Sequence, residues 1–289
     1  MKIGFIGTGL MGLPMAQRVL AVGFSLTAYN RTPDKLEALK SLGAAIAPDP
    51  TTVLENSACI VLMLTNGAAV QEVLLSDAAR SQLHGKTIIQ MGTIAPAESR
   101  AIRDEVVAAG GDYLEAPVLG SIPEAREGQL IVMVGGTAAH LQTWEPVLRC
   151  FGPEPLLVGE VGTAAALKLA LNQLIGSLTA AFSTSLEFVS RQGVPPELFM
   201  QVLRNSALYA PTFDKKLQRM LEGNYASPNF PSKHLAKDLN LFLTAAAAID
   251  LNTTAIQGVS QLLAQTLKMG LAEADYSALH AAVSSQEAG

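Results

Sequence analysis

Short apolar runs alternate with amphipathic runs through the first half of the chain. Lys2–Ile6 and Ser25–Tyr29 read as strands, with Gly12–Ala21 as the helix between them. A second helix runs through Leu36 and Leu39. Residues 60–64, 87–90, 113–118 and 130–134 are further β candidates, with helices between them. Apolar strands that alternate with helices form a parallel sheet covered on both faces. From about Val161 onward the β-branched runs thin out, and Ala and Leu dominate. Residues 163–192 read as one helix, about 45 Å long at 1.5 Å per residue. Gly193-Val194-Pro195-Pro196 stops it. Shorter helices are expected over 197–206, 212–221, 233–248 and 254–269. Residues 223–232, rich in Gly, Asn, Ser and Pro, are expected to be a loop. The pattern therefore predicts an α/β domain over residues 1–162 and an all-helical domain over 163–289, beginning with the long helix.

Composition narrows the picture. Hydrophobic residues make up 49% of the 289 positions and charged residues 16%, enough apolar material for a large core and for two domains. The formal net charge of −5 argues against a nucleic-acid or anionic-membrane partner. Cys59 and Cys150 each fall in an apolar stretch, as buried core thiols do. The first residues show no charged leader, apolar run and cleavage site in that order, which points to the cytoplasm. Residues 169–186 lack charges, but seven Asn, Gln, Ser and Thr residues interrupt them, so a buried helix is expected there rather than a bilayer span.

The sharpest motif is Gly7-Thr8-Gly9-Leu10-Met11-Gly12, between a predicted strand and a predicted helix. Gly7 permits a tight turn. Gly9 lets a pyrophosphate approach the backbone, and Gly12 lets the helix pack closely on the strand. The helix start, including Leu10 and Met11, then offers unpaired N–H groups and a partial positive charge to phosphates. This is the signature of a Rossmann-type dinucleotide-binding domain. Position 30, at the end of the second strand, selects the cofactor. An NAD enzyme places a carboxylate there for the ribose hydroxyls. Asn30 is neutral, and Arg31 can bind a 2′-phosphate through two parallel N–H bonds. This favours NADP over NAD. Arg31 also fits a solvated surface position, and Thr32-Pro33 also fits a helix N-cap followed by proline.

None of the four histidines stands out as a catalyst. Lys168 is more informative. It lies near the start of the long helix among Ala and Leu, with Asn172 four residues on and on the same helical face. Such an ammonium needs a partner, and a substrate oxygen is one. Lys168 would polarise a carbonyl and deliver a proton as hydride reaches carbon, with Asn172 holding it or contacting the substrate. The same pair is compatible with a lysine that snorkels to solvent and a structural asparagine.

Taken in order, these residues resemble the β-hydroxyacid dehydrogenase family, which includes 3-hydroxyisobutyrate dehydrogenase and the semialdehyde reductases. The likeness runs nearly end to end. It rests on the run from Ile3 to Gly12, on Glu115-Ala116-Pro117-Val118-Leu119-Gly120-Ser121 with Glu127-Gly128-Gln129-Leu130, on Lys168 with Asn172, and on Phe230-Pro231-Ser232-Lys233-His234-Leu235-Ala236-Lys237-Asp238. The resemblance implies that Thr65 and Thr93 lie near the cofactor and that Lys237 lies over it. It implies that Leu119, Gly120, Ser121 and Phe230 bind substrate with Lys168 and Asn172, and that Asp238 orders the site. It further implies NADPH, a small-molecule substrate such as a semialdehyde or glyoxylate, and a homodimer or homotetramer built through the helical domain.

This chain departs from the family at Leu119, where serine usually helps bind the substrate carboxylate. Losing a donor to a charged group costs about 1.5–3 kcal/mol. The Gly120 and Ser121 N–H groups and the Ser121 hydroxyl are candidate replacements. The usual acid at the start of Gln90-Met91-Gly92-Thr93 is also absent. Two alternatives stay open: an imine or less polar carbonyl reductase, and a cofactor-binding module without turnover. Leu119 leans toward the first and the retained Lys168 against it, while Lys168, Asn172 and Asp238 together speak against the second.

Overall fold

The computed structural model of the chain describes residues 1–285. They divide into two compact units, Met1–Leu169 and the residues from Ala170 onward. The division falls inside the long helix, not ahead of it.

The first unit begins β1 (Lys2–Ile6), α1 (Gly12–Ala21) and β2 (Ser25–Tyr29), followed by a 3-10 turn at Pro33–Leu36 and α2 (Glu37–Ser41). Then come β3 (Ala45–Ile46), α3 (Pro50–Asn56), β4 (Cys59–Leu62), α4 (Gly67–Leu74), α5 (Asp77–Arg80), β5 (Thr87–Gln90) and α6 (Pro96–Ala108). The unit continues with β6 (Asp112–Glu115), β7 (Val118–Leu119), α7 (Ile122–Glu127), β8 (Ile131–Gly135), α8 (Ala138–Leu148), β9 (Leu156–Gly159) and the start of α9 (Thr163–Arg191).

The strands run in the order β3-β2-β1-β4-β5-β6-β8-β7, with β9 also paired to β8. From β3 to β6 every pairing is parallel. The fully parallel sheet expected from the alternation ends there, because β8 is antiparallel to both β6 and β7. The predicted strand over 113–118 is also divided, at Ala116-Pro117. Proline has no N–H for the ladder. The connection back to β8 holds only the short α7, and a return that brief suits antiparallel pairing.

Period-two alternation shares each strand between two apolar layers. Cys59 and Val61 join Ile3, Phe5, Met15, Val19 and Trp144 on one face of the sheet. Ile60 and Leu62 join Val53, Val70, Ile88, Ile102 and Tyr113 on the other. Both cysteines are free and buried, as expected.

The second unit holds the rest of α9 with α10 (Pro196–Arg204), α11 (Pro211–Glu222), α12 (Ser232–Ala247), α13 (Thr254–Lys268), a 3-10 turn at Tyr276–Ala278 and α14 (Leu279–Ser284). The turn and α14 are additions to the helices expected from periodicity. Two apolar clusters hold the unit together. Ala180, Leu235, Leu239, Leu263 and Leu279 form one, and Phe182, Leu186, Met200, Phe213 and Met220 the other. The ion pair between Lys216 Nζ and Asp275 Oδ1 is buried, at 2.8 Å. The helix α9 meets the length and hydropathy of a membrane-crossing helix. It also carries the buried polar residues Lys168, Asn172, Thr179 and Ser183, which suit a core helix better.

Candidate active site

Lys237 lies on α12, whereas the residues of the first unit assigned to the nucleotide follow the carboxyl ends of β1, β2, β4 and β5, and the strand order reverses between β1 and β4. That is the usual place for a ligand in an open α/β sheet. Gly7 has φ +99°, and a Cβ on it would sit 2.4 Å from the Met63 carbonyl oxygen. A Cβ on Gly12 would lie 1.9 Å from the Gly7 carbonyl oxygen, so this glycine lets the loop fold back on the helix it opens. Gly9 is different. Nothing lies within 4 Å of where its Cβ would be, so the cradle is open on that side. The Leu13 N–H donates to the Gly9 carbonyl, which leaves the Leu10, Met11 and Gly12 N–H groups ahead of that bond at the positive end of α1. An open cradle beside a helix start fits a pyrophosphate.

Asn30 follows β2 and has a structural task. Its Oδ1 accepts from the Thr8 N–H at 3.0 Å, and its Nδ2 donates to the Thr32 carbonyl at 3.0 Å. The amide therefore ties the glycine loop to the next loop, and only a side chain that both accepts and donates can do so. Arg31 and Thr32 are exposed beyond it. Thr32 holds the N-cap position of the 3-10 turn, but its side chain makes no capping bond. The capping reading of Thr32 is thus corrected, while Pro33 does take the first helical position.

Thr65 is exposed in the loop after β4, and Thr93 is half-buried after β5. The amide of Gln90 shapes the second loop. Its Oε1 accepts from the Gly92 N–H at 2.7 Å, and its Nε2 donates to the Gly92 carbonyl at 2.8 Å. A carboxylate at position 90 would accept the first bond and repel the carbonyl in the second. The absent acid is therefore replaced by a group with its own geometric role.

At the end of β7, Leu119 is half-buried and pairs with Ile131, and Gly120 follows at φ +135°. The Ser121 N–H and hydroxyl both donate to Glu124 Oε2, at 2.8 and 2.6 Å. This corrects the expectation that Ser121 replaces the missing serine, because both of its donors already serve a carboxylate of this chain. Ser121-Ile122-Pro123-Glu124 carries the capping-box spacing, so the signal was present in the sequence.

Glu115, at the end of β6, is 1% exposed. Its Oε1 accepts from the Gly162 and Ala165 N–H groups at 2.8 and 3.0 Å. Its Oε2 accepts from Ser99 Oγ, which in turn lies 2.9 Å from the Tyr113 hydroxyl. Nothing in the local sequence marks this role, since the partners lie across the fold.

Lys168 is buried in the second turn of α9, 9% exposed. The snorkelling alternative would leave its end in solvent, and this burial disfavours it. Asn172, one helical turn further, is 2% exposed. Its Nδ2 donates to Asp238 Oδ2 on α12 at 2.7 Å. That bond fixes the amide, and leaves its buried Oδ1 an acceptor without a partner. Asp238 Oδ1 is paired with Lys237 Nζ at 2.7 Å. Within the helical unit the structure thus joins Asn172, Asp238 and Lys237. Phe230 packs edge-on against Tyr276 at 5.9 Å, beside the apolar cluster of α12 and α13. Among the described residues, no group of three or more His, Cys, Asp or Glu side chains is placed to hold a metal.

Residues 2–160 match the family described as the NAD binding domain of 6-phosphogluconate dehydrogenase. Residues 162–283 match the family described as NAD-binding of NADP-dependent 3-hydroxyisobutyrate dehydrogenase. The chain is 36% identical to the 2-hydroxy-3-oxopropionate reductase of Escherichia coli, covering 96% of each. It is 31% identical to the chloroplastic glyoxylate/succinic semialdehyde reductase 2 of Arabidopsis thaliana, over 96% of this chain and 78% of the relative. A solved structure of Mycobacterium tuberculosis 3-hydroxyisobutyrate dehydrogenase with L-serine shares the fold. Its TM-score is 0.89 at 20% identity, over 98% of this chain and 99% of that one.

Proposed function

Because the chain belongs to the β-hydroxyacid dehydrogenase family, we propose that it is an NADPH-dependent reductase of a small aldehyde or keto acid, with Lys168 as proton donor. The relatives at 30% identity or more described above are named reductases, and the chain is an oxidoreductase of that general kind. The observation that carries the finer reading is the buried Lys168–Asn172 pair. Asp238 holds the asparagine, and the Asn172 Oδ1 is left as an unpartnered acceptor.

The glycine loop and the start of α1 would hold the pyrophosphate. Arg31 and Thr32 would hold the 2′-phosphate, with Thr65, Thr93 and Lys237 along the rest of the cofactor. NADPH, when bound, supplies the hydride. Lys168 Nζ hydrogen-bonds the substrate carbonyl oxygen, draws charge onto it, and gives up a proton as the alcohol forms. Asn172 Oδ1 accepts from the hydroxyl so formed, which supplies the bond the amide lacks. The preference for NADPH is supported by the neutral Asn30, whose Oδ1 faces the Thr8 N–H, and by the exposed guanidinium beside it. The buried free thiols suit a reducing compartment such as the cytoplasm.

The experiment is NADPH oxidation against glyoxylate, succinic semialdehyde, tartronate semialdehyde, an uncharged aldehyde and a cyclic imine, with NADH in parallel. Turnover of a semialdehyde acid supports the reading and shows that Leu119 is tolerated. Turnover of uncharged substrates alone makes Leu119 the selector, because a leucine cannot donate to a carboxylate. Lys168→Ala should lower kcat by about 100- to 10,000-fold, the usual worth of general acid catalysis, and leave NADPH affinity nearly intact. Near-normal turnover in that variant removes Lys168 from the chemistry.

A further inference from the structure

We infer that Glu115 is a positioning residue for Lys168, setting its place relative to the sheet by clamping the start of α9. This inference rests on the reading of Lys168 as proton donor. Glu115 ends β6, at the same edge of the sheet as the glycine loop. One oxygen, Oε1, receives the N–H groups of both Gly162 and Ala165. The second of these lies less than one turn before Lys168, so the helix start is fixed against the strand end at the turn that leads to the lysine.

The chain commits several features to this clamp. Ser99 Oγ donates to the other oxygen and is itself paired with the Tyr113 hydroxyl, so the carboxylate is held from both sides. Gly135 makes room for it, since a Cβ at that position would stand 2.4 Å from Glu115 Oε1. Gly162, which supplies one of the N–H groups, has φ +101° and turns the chain into the helix.

A helix cap needs no buried charge. Serine, threonine or asparagine caps a helix from its own N-cap position, without the desolvation a buried carboxylate carries. A carboxylate reaching from another element gives something those caps do not, a fixed distance between sheet and helix. Two N–H groups at the positive end of the helix, converging on one side-chain oxygen, make that link stiff. A proton donor that must meet a carbonyl above the sheet needs this stiffness, because a displacement of about 1 Å can cost about 100-fold in rate.

The test uses Glu115→Asp, Glu115→Gln and Ser99→Ala in the full chain with NADPH and succinic semialdehyde, with folding checked by Tm and NADPH affinity by fluorescence. Glu115→Asp shortens the reach by one methylene. It should lower kcat by about 10- to 100-fold, with substrate KM and NADPH Kd within about threefold. The solvent deuterium isotope effect on kcat should rise, because proton delivery becomes the slow step. Glu115→Gln keeps an oxygen for both N–H groups and should recover most of the rate. Ser99→Ala should lie between them. A fall in Tm with kcat and the isotope effect unchanged would reduce Glu115 to a structural cap and overturn the inference. So would a rate loss in the Asp variant that the Gln variant does not recover. Near-normal turnover in Lys168→Ala, or none by the unmodified chain, removes the underlying reading instead, and the inference with it.

Discussion

Arg31 stands exposed beside an asparagine that is turned inward, and the proposed NADPH preference rests on this division of labour. Asn30 spends its oxygen on the Thr8 N–H and its nitrogen on the Thr32 carbonyl. The Arg31 guanidinium is then the one charged group of this tract that can meet a 2′-phosphate, with the Thr32 hydroxyl beside it. Arg31→Ala should therefore weaken NADPH by about 10- to 100-fold, the worth of a charged hydrogen bond, and NADH by less than about threefold. Fluorescence titration with both cofactors checks this, and equal weakening would refute the assignment. Glycine spacing, Asn30-Arg31-Thr32 and the Lys168–Asn172 interval were all legible in the sequence, because each is a local pattern. The uses of Ser121, Gln90 and Glu115 were less legible. Ser121 is committed to Glu124, and Gln90 closes on Gly92 two residues away. Glu115 meets partners 47 and 50 positions along the chain. Short-range commitments leave weak sequence signals, and long-range ones leave none.

At the scale of elements, the helical periodicity of the second half carried most of the information. The helices α9 to α13 begin and end within a residue or two of their expected bounds. Periodicity did not reveal what ties the last segment down. Asp275 accepts from Lys216 at 2.8 Å and from the Ser277 hydroxyl at 2.8 Å, and Lys216 lies 4.2 Å over the Tyr276 ring. Burial lowers the pKa of Lys216, with Asp275 acting against that trend. Removing one partner strands the other. Asp275→Ala should cost about 3–5 kcal/mol in urea unfolding, while Lys216→Met with Asp275→Leu should recover much of that loss. If the single change costs no more than a surface pair does, the bridge contributes little.

Over the whole molecule, two properties of the helical unit are testable. Burial lowers the pKa of His280, and burial with Lys233 and Lys237 lowers that of His234. Both therefore hold a proton less readily in the fold than in the unfolded chain. The unfolded chain gains protons near pH 6.5, so stability is full above that value and falls as the pH drops below it. A plot of Tm against pH should show the decline, and His280→Leu should flatten it. A slope unchanged by that substitution would clear His280. The second is an expected self-association. Leu174 on α9 is 51% exposed and Phe188 63%, with Val202 on α10 also bare. Leu174, Ala181, Ser185 and Phe188 are exposed on α9 at intervals of seven, four and three, which sets them on one face of the helix. We expect a homo-oligomer through this face. Leu174→Asp with Phe188→Asp should yield a monomer by light scattering, and an unchanged mass would move the interface elsewhere.

The alternation of strands and helices, the change to an all-helical second half, the glycine loop and the spacing of Lys168 and Asn172 could be read before any fold was known. All of these are encoded in residues near one another along the chain, where periodicity and turn chemistry act directly. The antiparallel turn of the sheet beyond β6, the hold of Asp238 on Asn172 and the bonds of Glu115 to the start of α9 came from the folded chain alone. Each depends on which distant groups share a buried space. There an unpaired polar atom is costly, and its partner is whichever group the packing brings within reach.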